Sequence, residues 1–258
     1  MNVSIIGAGN VATQLALALR KAGHTMVQVY NRSNDAGEEL ARTVGASFTS
    51  NLSQLAEADI YLISVKDDAI AEIAAGLQLK DKFVAHTSGT KSRNLLKDVT
   101  VNNGVFYPLQ TMTRKAVLDF KKIPFLIEGS NNATTLALEG LAASLSEKIH
   151  IVDEEQRQWI HVAAVFANNF TNHLYGISEH LLAEHGLPFD ILKPLIFKAI
   201  ENLERYSPSE LQTGPAARQD MLVIDRHLQL LADESRLKKI YEVLTESIIS
   251  SLPQNKHI

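Results

Sequence analysis

The glycine-rich turn near the start of the chain is the strongest constraint on the fold. An apolar run at 2–6 leads directly into residues 7–12 (GAGNVA), and a helical pattern follows over 11–23. A G-x-G-x-x-A turn between a strand and a helix allows a tight bend at the first glycine and close approach of a phosphate at the second. The free N–H groups of the following helix attract anions. The residues predicted to hold the pyrophosphate of a dinucleotide are Gly7, Gly9, Asn10 and Val11.

Short apolar runs alternate with helical patterns from the N-terminus to about residue 152. The runs predict strands at 2–6, 26–30, 60–65, 83–86, 105–107, 124–128 and 150–152. Strands that alternate with helices form a mostly parallel sheet covered on both faces. After residue 152 only helices are predicted, at 153–186, 190–205, 215–232 and 236–251. The predicted fold class is therefore α/β, with a Rossmann-type, mostly parallel sheet over 1–152 and a second, all-helical domain over 153–258.

Composition excludes several classes of protein. The formal net charge of -4 provides no basic surface for nucleic acid, and the absence of cysteine removes thiolate metal sites and thiol catalysis. The histidines and carboxylates show no ligand spacing, so we predict no metal. No apolar run approaches the ~20 residues that a membrane span needs, and the N-terminus does not read as a signal peptide. We expect a cytoplasmic protein.

The end of the second predicted strand indicates which dinucleotide is bound. An NAD site places Asp or Glu at this strand tip to hold the ribose 2′-OH, whereas residues 30–33 here read YNRS. Arg32 can pair with a 2′-phosphate, and Asn31 and Ser33 can donate hydrogen bonds to it. We therefore predict NADP as the cofactor, with a solvated surface position for Arg32 as the alternative.

Polar residues at the ends of later strands complete the predicted site. Ser64 and Val65 end the strand 60–65, on the side of the sheet where ligands gather in open α/β folds, and are expected to line the cofactor. His86 ends the strand 83–86, and an imidazole of ordinary pKa can protonate a developing alkoxide or amine at neutral pH. The alternative is a strand-end histidine bonded to a backbone group. The residues predicted to contact substrate here are Ser88, Tyr107, Gln110 and Thr111.

Four stretches of the chain together resemble one superfamily. They are GAGNVA at 7–12, HTSG at 86–89, YPLQT at 107–111, and TGP at 213–215 followed by Arg218 and Asp220. The chain is similar to β-hydroxyacid dehydrogenases, pyrroline-5-carboxylate reductases and 6-phosphogluconate dehydrogenases. It most resembles their Rossmann-like branch that carries a DUF2520 domain. Over nearly the whole chain, the resemblance implies a Rossmann domain followed by a 6-phosphogluconate dehydrogenase C-terminal-like helical domain that forms a homodimer.

The stretch VFANNF at 165–170 departs from the catalytic pattern of that superfamily. β-Hydroxyacid dehydrogenases carry K-x-x-N-N on the long helix after the Rossmann domain, with the lysine as the acid/base group. Here Val165 stands at the lysine position, while Asn168 and Asn169 are kept. The resemblance implies that the two amides hold substrate or the nicotinamide ribose, with a polar seam between helices as the alternative. Because valine cannot move a proton, we predict His86 as the acid/base residue.

The stretch TGP at 213–215 is predicted to open a helix, since proline is tolerated in a first turn. A free helix N-terminus with Arg218 one turn in would bind a carboxylate or phosphate. A surface cap with Arg218 paired to Asp220 is the alternative. We expect Thr213 and Arg218 to bind substrate.

Three hypotheses about function follow. The first is an NADP(H)-dependent oxidoreductase that acts on a small carbonyl, imine or hydroxy compound, anionic in character, bound between the two domains. The second is an imine reductase of the pyrroline-5-carboxylate type, which fits the missing lysine. The third is a non-catalytic NADP-binding sensor or regulatory protein, which the missing lysine also fits.

Overall fold

The computed structural model describes residues 1–114 and 117–252. Within these ranges, one sheet contains eight strands. The strands are β1 Asn2–Ile6, β2 Thr25–Tyr30, β3 Ser47–Thr49, β4 Ile60–Ile63, β5 Phe83–His86, β6 Asn103–Pro108, β7 Phe125–Gly129 and β8 Ile149–Ile151. All seven predicted strands are confirmed. The three-residue strand β3 was missed, because a run this short carries little periodicity.

The strand order is β3-β2-β1-β4-β5-β6-β7-β8. Every neighbouring pair is parallel except β6 and β7, so the prediction of a mostly parallel sheet is confirmed. The chain runs outward from β1 to β3 and then returns to β4 on the other side of β1. That reversal opens a crevice beyond the carboxyl ends of β1 and β4, where open α/β sheets bind ligands. The register aligns Ile6 with Ile63, and Ile63 with His86, so the three strand ends adjoin.

Helices cover both faces of the sheet. They are α1 Asn10–Lys21, α2 Asn34–Val44, α3 Ile70–Ala75 and α4 Asn132–Ala143. The α1 side chains that repeat at helical spacing and pack on the sheet are fully buried: Ala12, Leu15, Ala16 and Leu19. Helix α3 contributes to a second apolar cluster that includes Ile6, Ile63 and Val84. Burial on both faces explains why the central strands read as continuous apolar runs.

The remainder of the described chain is helical. It contains α5 Glu154–Ala164, α6 Thr171–Glu184, α7 Lys193–Asn202, α8 Met221–Leu230 and α9 Ser235–Ser251. Asp153 and Gln156 form a reciprocal capping box at the start of α5. A π-helical segment, Val165–Phe170, joins α5 to α6 and coincides with the stretch VFANNF.

The predicted helix start at Pro215 is wrong. Residues 215–219 form turns, with Gln219 at a φ of 53°, and α8 begins only at Met221. Asp220 is the N-cap of that helix, because its Oδ1 accepts a hydrogen bond from the Val223 backbone N–H at 3.3 Å. Proline at i+1 of a turn and proline in a first helical turn have the same sequence signature, so the pattern did not separate them.

The chain divides into two compact units, Met1–Phe166 and Ala167–Ile258. The first unit contains the sheet, helices α1 to α5 and both apolar clusters. This division falls within the π-helical segment, whereas the sequence predicted a boundary at residue 152, before α5.

Candidate nucleotide and substrate site

A cavity of about 730 Å³ lies at the carboxyl ends of β1, β4 and β5, and every residue that lines it belongs to the first unit. Ten of the predicted site residues line it: Gly7, Gly9, Asn10, Val11, Asn31, Arg32, Ser64, Val65, Ser88 and Tyr107. The sequence prediction did not include several others among its site residues: Tyr30, Lys66, Asp67, Thr87, Gly89, Met112 and His161. Separate strand ends that are distant in sequence therefore converge on one cavity.

The glycine turn has the geometry that a pyrophosphate needs. Gly7 has a φ of +120°, and a Cβ at this position would lie 2.2 Å from the Ser64 carbonyl oxygen, so only glycine fits. A Cβ at Gly9 would meet no described atom within 4 Å, which leaves room for a ligand against the backbone. Gly9 is the N-cap of α1, and no side chain in the described ranges caps that helix end. Its N–H groups are therefore available to an anion.

Arg114 adds a positive charge beside the same turn. Its Nη2 donates a hydrogen bond to the Ala8 carbonyl oxygen at 2.6 Å. The segment that carries Arg114 is also attached to helix α1, since the Gln14 side-chain amide donates to the Thr113 carbonyl oxygen at 2.7 Å. Arg114 lies outside every recognised motif of the sequence, so only the tertiary structure identifies it.

The tip of β2 carries the residues that the sequence assigned to a 2′-phosphate. Arg32 lines the cavity and its Nη1 lies 3.5 Å from Glu72 Oε2, with about two thirds of both side chains exposed. An exposed pair of this kind contributes at most about 1 kcal/mol. The Asn31 side chain donates to the Ser33 carbonyl oxygen at 2.8 Å, which orders the turn. Ser33 itself is the N-cap of α2 and does not line the cavity.

The structure does not support His86 as the acid/base residue. Its side chain is fully buried at the end of β5 and does not line the cavity. The Ser88 backbone N–H donates to its Nδ1 at 3.2 Å, which is the alternative interpretation that the sequence left open. Burial lowers the pKa of His86 to about 4, so the imidazole is neutral at neutral pH and is not available as an imidazolium acid.

Tyr107 and His161 form a hydrogen-bonded pair in the cavity wall. The Tyr107 Oη lies 3.0 Å from His161 Nδ1, and the two residues are 54 positions apart in sequence. Gly89 lies against both: a Cβ there would come within 2.7 Å of His161 Nδ1 and 2.8 Å of Tyr107 Cζ. Burial raises the pKa of Tyr107, and the nearby Asp67 carboxylate raises it further.

Asp67 contributes a negative charge to the same end of the cavity. Its Oδ2 accepts hydrogen bonds from Ser88 Oγ at 2.8 Å and from Thr90 Oγ1 at 2.6 Å. Ser88 is thus held by a carboxylate, and its backbone belongs to the turn that follows β5. The predicted substrate residue Ser88 lies at the cavity, but its hydroxyl already has this partner.

A buried arginine, Arg157, is hydrogen-bonded to the backbone of the turn that follows β5. Arg157 on α5 is fully buried, and its Nη1 donates to the Gly89 carbonyl oxygen at 3.0 Å. Its Nη2 pairs with Glu128 Oε2 on β7 at 3.0 Å, and Arg93 Nε pairs with Glu128 Oε1 at 3.0 Å. Helix α5 is therefore attached to both β7 and the β5 turn.

Six further predicted residues are placed as follows. Gln110 and Thr111 are exposed and do not line the cavity, and Gln110 Oε1 accepts from the Thr111 backbone N–H at 2.9 Å. Asn168 and Asn169 are exposed on the π-helical segment. In the second unit, Thr213 and Arg218 are exposed in the turns before α8 rather than on a helix.

Among the described residues, one group offers metal-ligand geometry. The ligand atoms of His180, Glu184 and Glu234 lie within 4.8 Å of one another, and two of the three side chains are exposed. The group is not part of the cavity. The sequence prediction of no metal stays a prediction.

The fold and the cavity together define a Rossmann-type dinucleotide-binding protein. Residues 2–88 match the family model described as "NADP oxidoreductase coenzyme F420-dependent", and residues 123–248 match "Domain of unknown function (DUF2520)". A proposed NADP oxidoreductase from Bacteroides fragilis is 40% identical, with a TM-score of 0.89, over 96% of this chain and 98% of that one. The chain therefore belongs to the family of NADP oxidoreductases with a DUF2520 domain, and NADP is the cofactor of that family.

Two more distant structures share the fold alone. The 1-pyrroline-5-carboxylate reductase of Streptococcus pyogenes is 14% identical, with a TM-score of 0.67, over 97% of this chain and 98% of that one. A reductive aminase of Aspergillus terreus, solved with NADPH and ethyl-5-oxohexanoate, is 15% identical, with a TM-score of 0.73. The match covers 96% of this chain and 92% of that one. A search of curated proteins finds no match.

No helix within the described parts of the chain has the length and apolar character needed to cross a bilayer.

Proposed function

We propose that this protein is an NADP(H)-dependent oxidoreductase that acts on a small carbonyl, imine or hydroxy compound. The observation that carries the proposal is that one cavity joins the open glycine turn and Arg32 to a set of proton-carrying side chains, Tyr107 and His161. Bound nicotinamide supplies or accepts the hydride, and the chain provides orientation and proton transfer.

The first test is calorimetric titration with NADPH and, in parallel, NADH. We expect NADPH to bind at least tenfold more tightly, a difference of about 1.4 kcal/mol. Arg32→Ala should reduce NADPH affinity about tenfold and leave NADH affinity nearly unchanged. Arg42→Ala, on the exposed face of α2, is the matched control and should change neither. If neither nucleotide binds the wild-type protein, the proposal fails.

We propose that Asn168 and Asn169 orient the substrate. Their exposed amides lie on a π-helical segment, and such segments occur frequently at functional sites. Alanine substitution of both should raise KM for a substrate without changing NADPH affinity. Unchanged KM and kcat in the double variant would contradict this role.

An anionic group on the substrate also remains a proposal. Arg218 is exposed and could pair with a carboxylate, but the helix N-terminus expected beside it is absent, since α8 starts later. We also propose that Thr213, Gln110 and Thr111 contact the substrate. Substrate screens should therefore include paired compounds with and without a carboxylate, and a KM lower by at least about tenfold for the carboxylates supports it.

A specific observation favours an imine as the reduced group. Asp67 places a carboxylate at the cavity end that holds Tyr107, and a negative charge stabilises a protonated imine more than a neutral ketone. We expect Asp67→Asn to reduce imine turnover more than carbonyl turnover. Tight NADPH binding without turnover of any carbonyl or imine would instead favour a non-catalytic sensor.

We also propose a homodimer formed through the helical unit. Helices α6, α7 and α9 have no buried residue. Large apolar side chains of the helical unit are open to solvent, including Leu195 (70%) and Phe197 (66%) on α7 and Leu222 (84%) on α8. Apolar surface on this scale marks an association site. Light scattering of the wild-type protein should give twice the mass of one chain. The double variant Phe197→Asp/Leu222→Asp should give the mass of a single chain. Val101→Asp, in the first unit, is the control.

A further inference from the structure

We propose that Tyr107 is the acid that protonates the substrate heteroatom, and that His161 restores its proton. This inference rests on the function proposed above. The Tyr107 Oη and His161 Nδ1 atoms are 3.0 Å apart, and both residues line the cavity. The two side chains come from different elements, β6 and α5, so their hydrogen bond is made by the fold.

The pair is packed against a glycine. Gly89 follows β5, and any Cβ there would contact both the imidazole and the phenol ring at under 3 Å. The Gly89 carbonyl oxygen is held by the buried Arg157, so the backbone at this point is fixed. A residue with a side chain at position 89 would separate the two rings or displace one of them from the cavity.

The charges around the phenol keep its proton in place. Burial raises the pKa of Tyr107, the Asp67 carboxylate on the segment after β4 raises it further, and Arg157 on α5 opposes this. Tyr107 is therefore a neutral phenol at neutral pH, which is the form that can donate. The other titratable group in contact with it is His161 itself.

The proposed reduction transfers one hydride and one proton to the substrate. In the reductive direction, the hydride from the nucleotide forms a C–H bond, and the π-electron pair of the C=O or C=N bond moves to the heteroatom. That atom takes the proton from the Tyr107 Oη, so one O–H bond breaks and one heteroatom–H bond forms. As the Nδ1 proton of His161 passes to the phenolate, Nε2 takes a proton from an acid in the solvent, so the imidazole stays neutral and the net proton comes from solvent. Proton exchange with solvent then returns the ring from its Nε2–H to its Nδ1–H form before the next cycle.

A second tyrosine–histidine pair provides an internal control. His227 Nδ1 lies 2.8 Å from the Tyr241 Oη in the helical unit, and neither residue lines the cavity. The local hydrogen bond is of the same kind in both pairs. Only the pair at 107 and 161 is expected to respond to the nucleotide.

The test is carbon NMR of the full-length protein labelled at tyrosine Cζ, with Tyr107→Phe and Tyr241→Phe to assign the two resonances. We expect the Tyr107 resonance to move on addition of NADP⁺. It should also move in His161→Asn, which keeps a hydrogen-bonding atom at the δ position but removes the imidazole that lies 3.0 Å from the phenol oxygen. The Tyr241 resonance should not respond to NADP⁺. A Tyr107 resonance that responds neither to NADP⁺ nor to His161→Asn overturns the proposal.

A kinetic arm uses NADPH oxidation with 2-methyl-1-pyrroline and cyclohexanone as probes. Tyr107→Phe should lower kcat for cyclohexanone by at least about 100-fold, because the alkoxide needs a proton, and should lower kcat less for an imine that arrives protonated. KM and NADPH affinity should change less than about threefold. Unchanged kcat for cyclohexanone in Tyr107→Phe also overturns the proposal. Failure of the general function appears differently, as loss of NADPH binding by the wild-type protein.

Discussion

Replacement of Arg157 by methionine tests whether the buried cation maintains the site. Arg157 has no exposed surface, and its guanidinium makes two bonds of 3.0 Å, to the Gly89 carbonyl oxygen and to Glu128 Oε2. Methionine fills the volume of the stem but carries neither charge nor donors. The substitution therefore removes the attachment of α5 to the β5 turn and leaves the apolar packing nearly intact.

The expected loss of stability depends on the two hydrogen-bond acceptors that lose the guanidinium, the Gly89 carbonyl oxygen and Glu128 Oε2. Hydrogen bonds to charged groups contribute about 1.5–3 kcal/mol each, so the two short bonds represent about 3–6 kcal/mol. Relief of the desolvation of Arg157 offsets part of this. The Glu128 carboxylate still pairs with Arg93 Nε at 3.0 Å in the variant, so it retains a positively charged partner. We expect Arg157→Met to lower the free energy of unfolding by about 3 kcal/mol, which is the lower end of the range for breaking a buried ion pair.

Urea unfolding followed by tryptophan fluorescence measures the effect. Trp159 is the single tryptophan of the chain and lies on α5, so its signal reports on the first unit. With an m-value of about 3 kcal/mol/M, the midpoint should fall by about 1 M. Arg93→Met is the control, because its side chain is 30% exposed and should cost only about 1 kcal/mol. A loss under about 0.5 kcal/mol in Arg157→Met would refute the reasoning.

Three further predictions concern the glycine turn, a surface glycine and the buried histidine. Gly7→Ala should weaken NADPH binding by more than about tenfold, measured by calorimetry, because its Cβ would lie 2.2 Å from the Ser64 carbonyl oxygen. Gly140→Ala, in open space on α4, should instead stabilise the protein by about 0.5–1 kcal/mol, measured by urea unfolding. The folded-state pKa of His86, about 4, is below its ordinary value of 6.5, so the unfolded chain binds the extra proton. Stability should therefore be full above pH 6.5 and fall by about 2 kcal/mol between pH 7 and pH 5, with His86→Gln abolishing this loss in urea titrations at the two pH values.

Local patterns predicted the fold because the strands and the main helices have local causes. Buried parallel strands appear as apolar runs, and Gly7 and Asp153 mark where a turn or a helix must begin. The identity of the proton-carrying pair could not be found this way, since Tyr107 and His161 meet only when β6 and α5 pack together. Arg157 was missed for a related reason, because a charge in a helical pattern is usually assigned to solvent.

The assignments of His86 and Pro215, which the structure does not support, have a different origin. His86 was placed correctly at the end of β5, but a strand position does not state whether the side chain reaches the ligand or the interior. Pro215 was placed in a helix because a turn and a first helical turn tolerate proline equally. In both cases the local residue pattern was real, and the neighbours that decide between its two meanings are distant in sequence.

The attachment of helix α5 to the sheet determines where the gene for this protein could be cut or exchanged. A fragment that ends at residue 152 would lose Arg157 and His161, and the carbonyl oxygen of Gly89 and the carboxylate of Glu128 would lose a buried donor. A fragment that ends at residue 166 would keep all of these contacts. Recombination between related proteins should therefore preserve nucleotide binding when the crossover follows α5, and impair it when the crossover falls at the last strand.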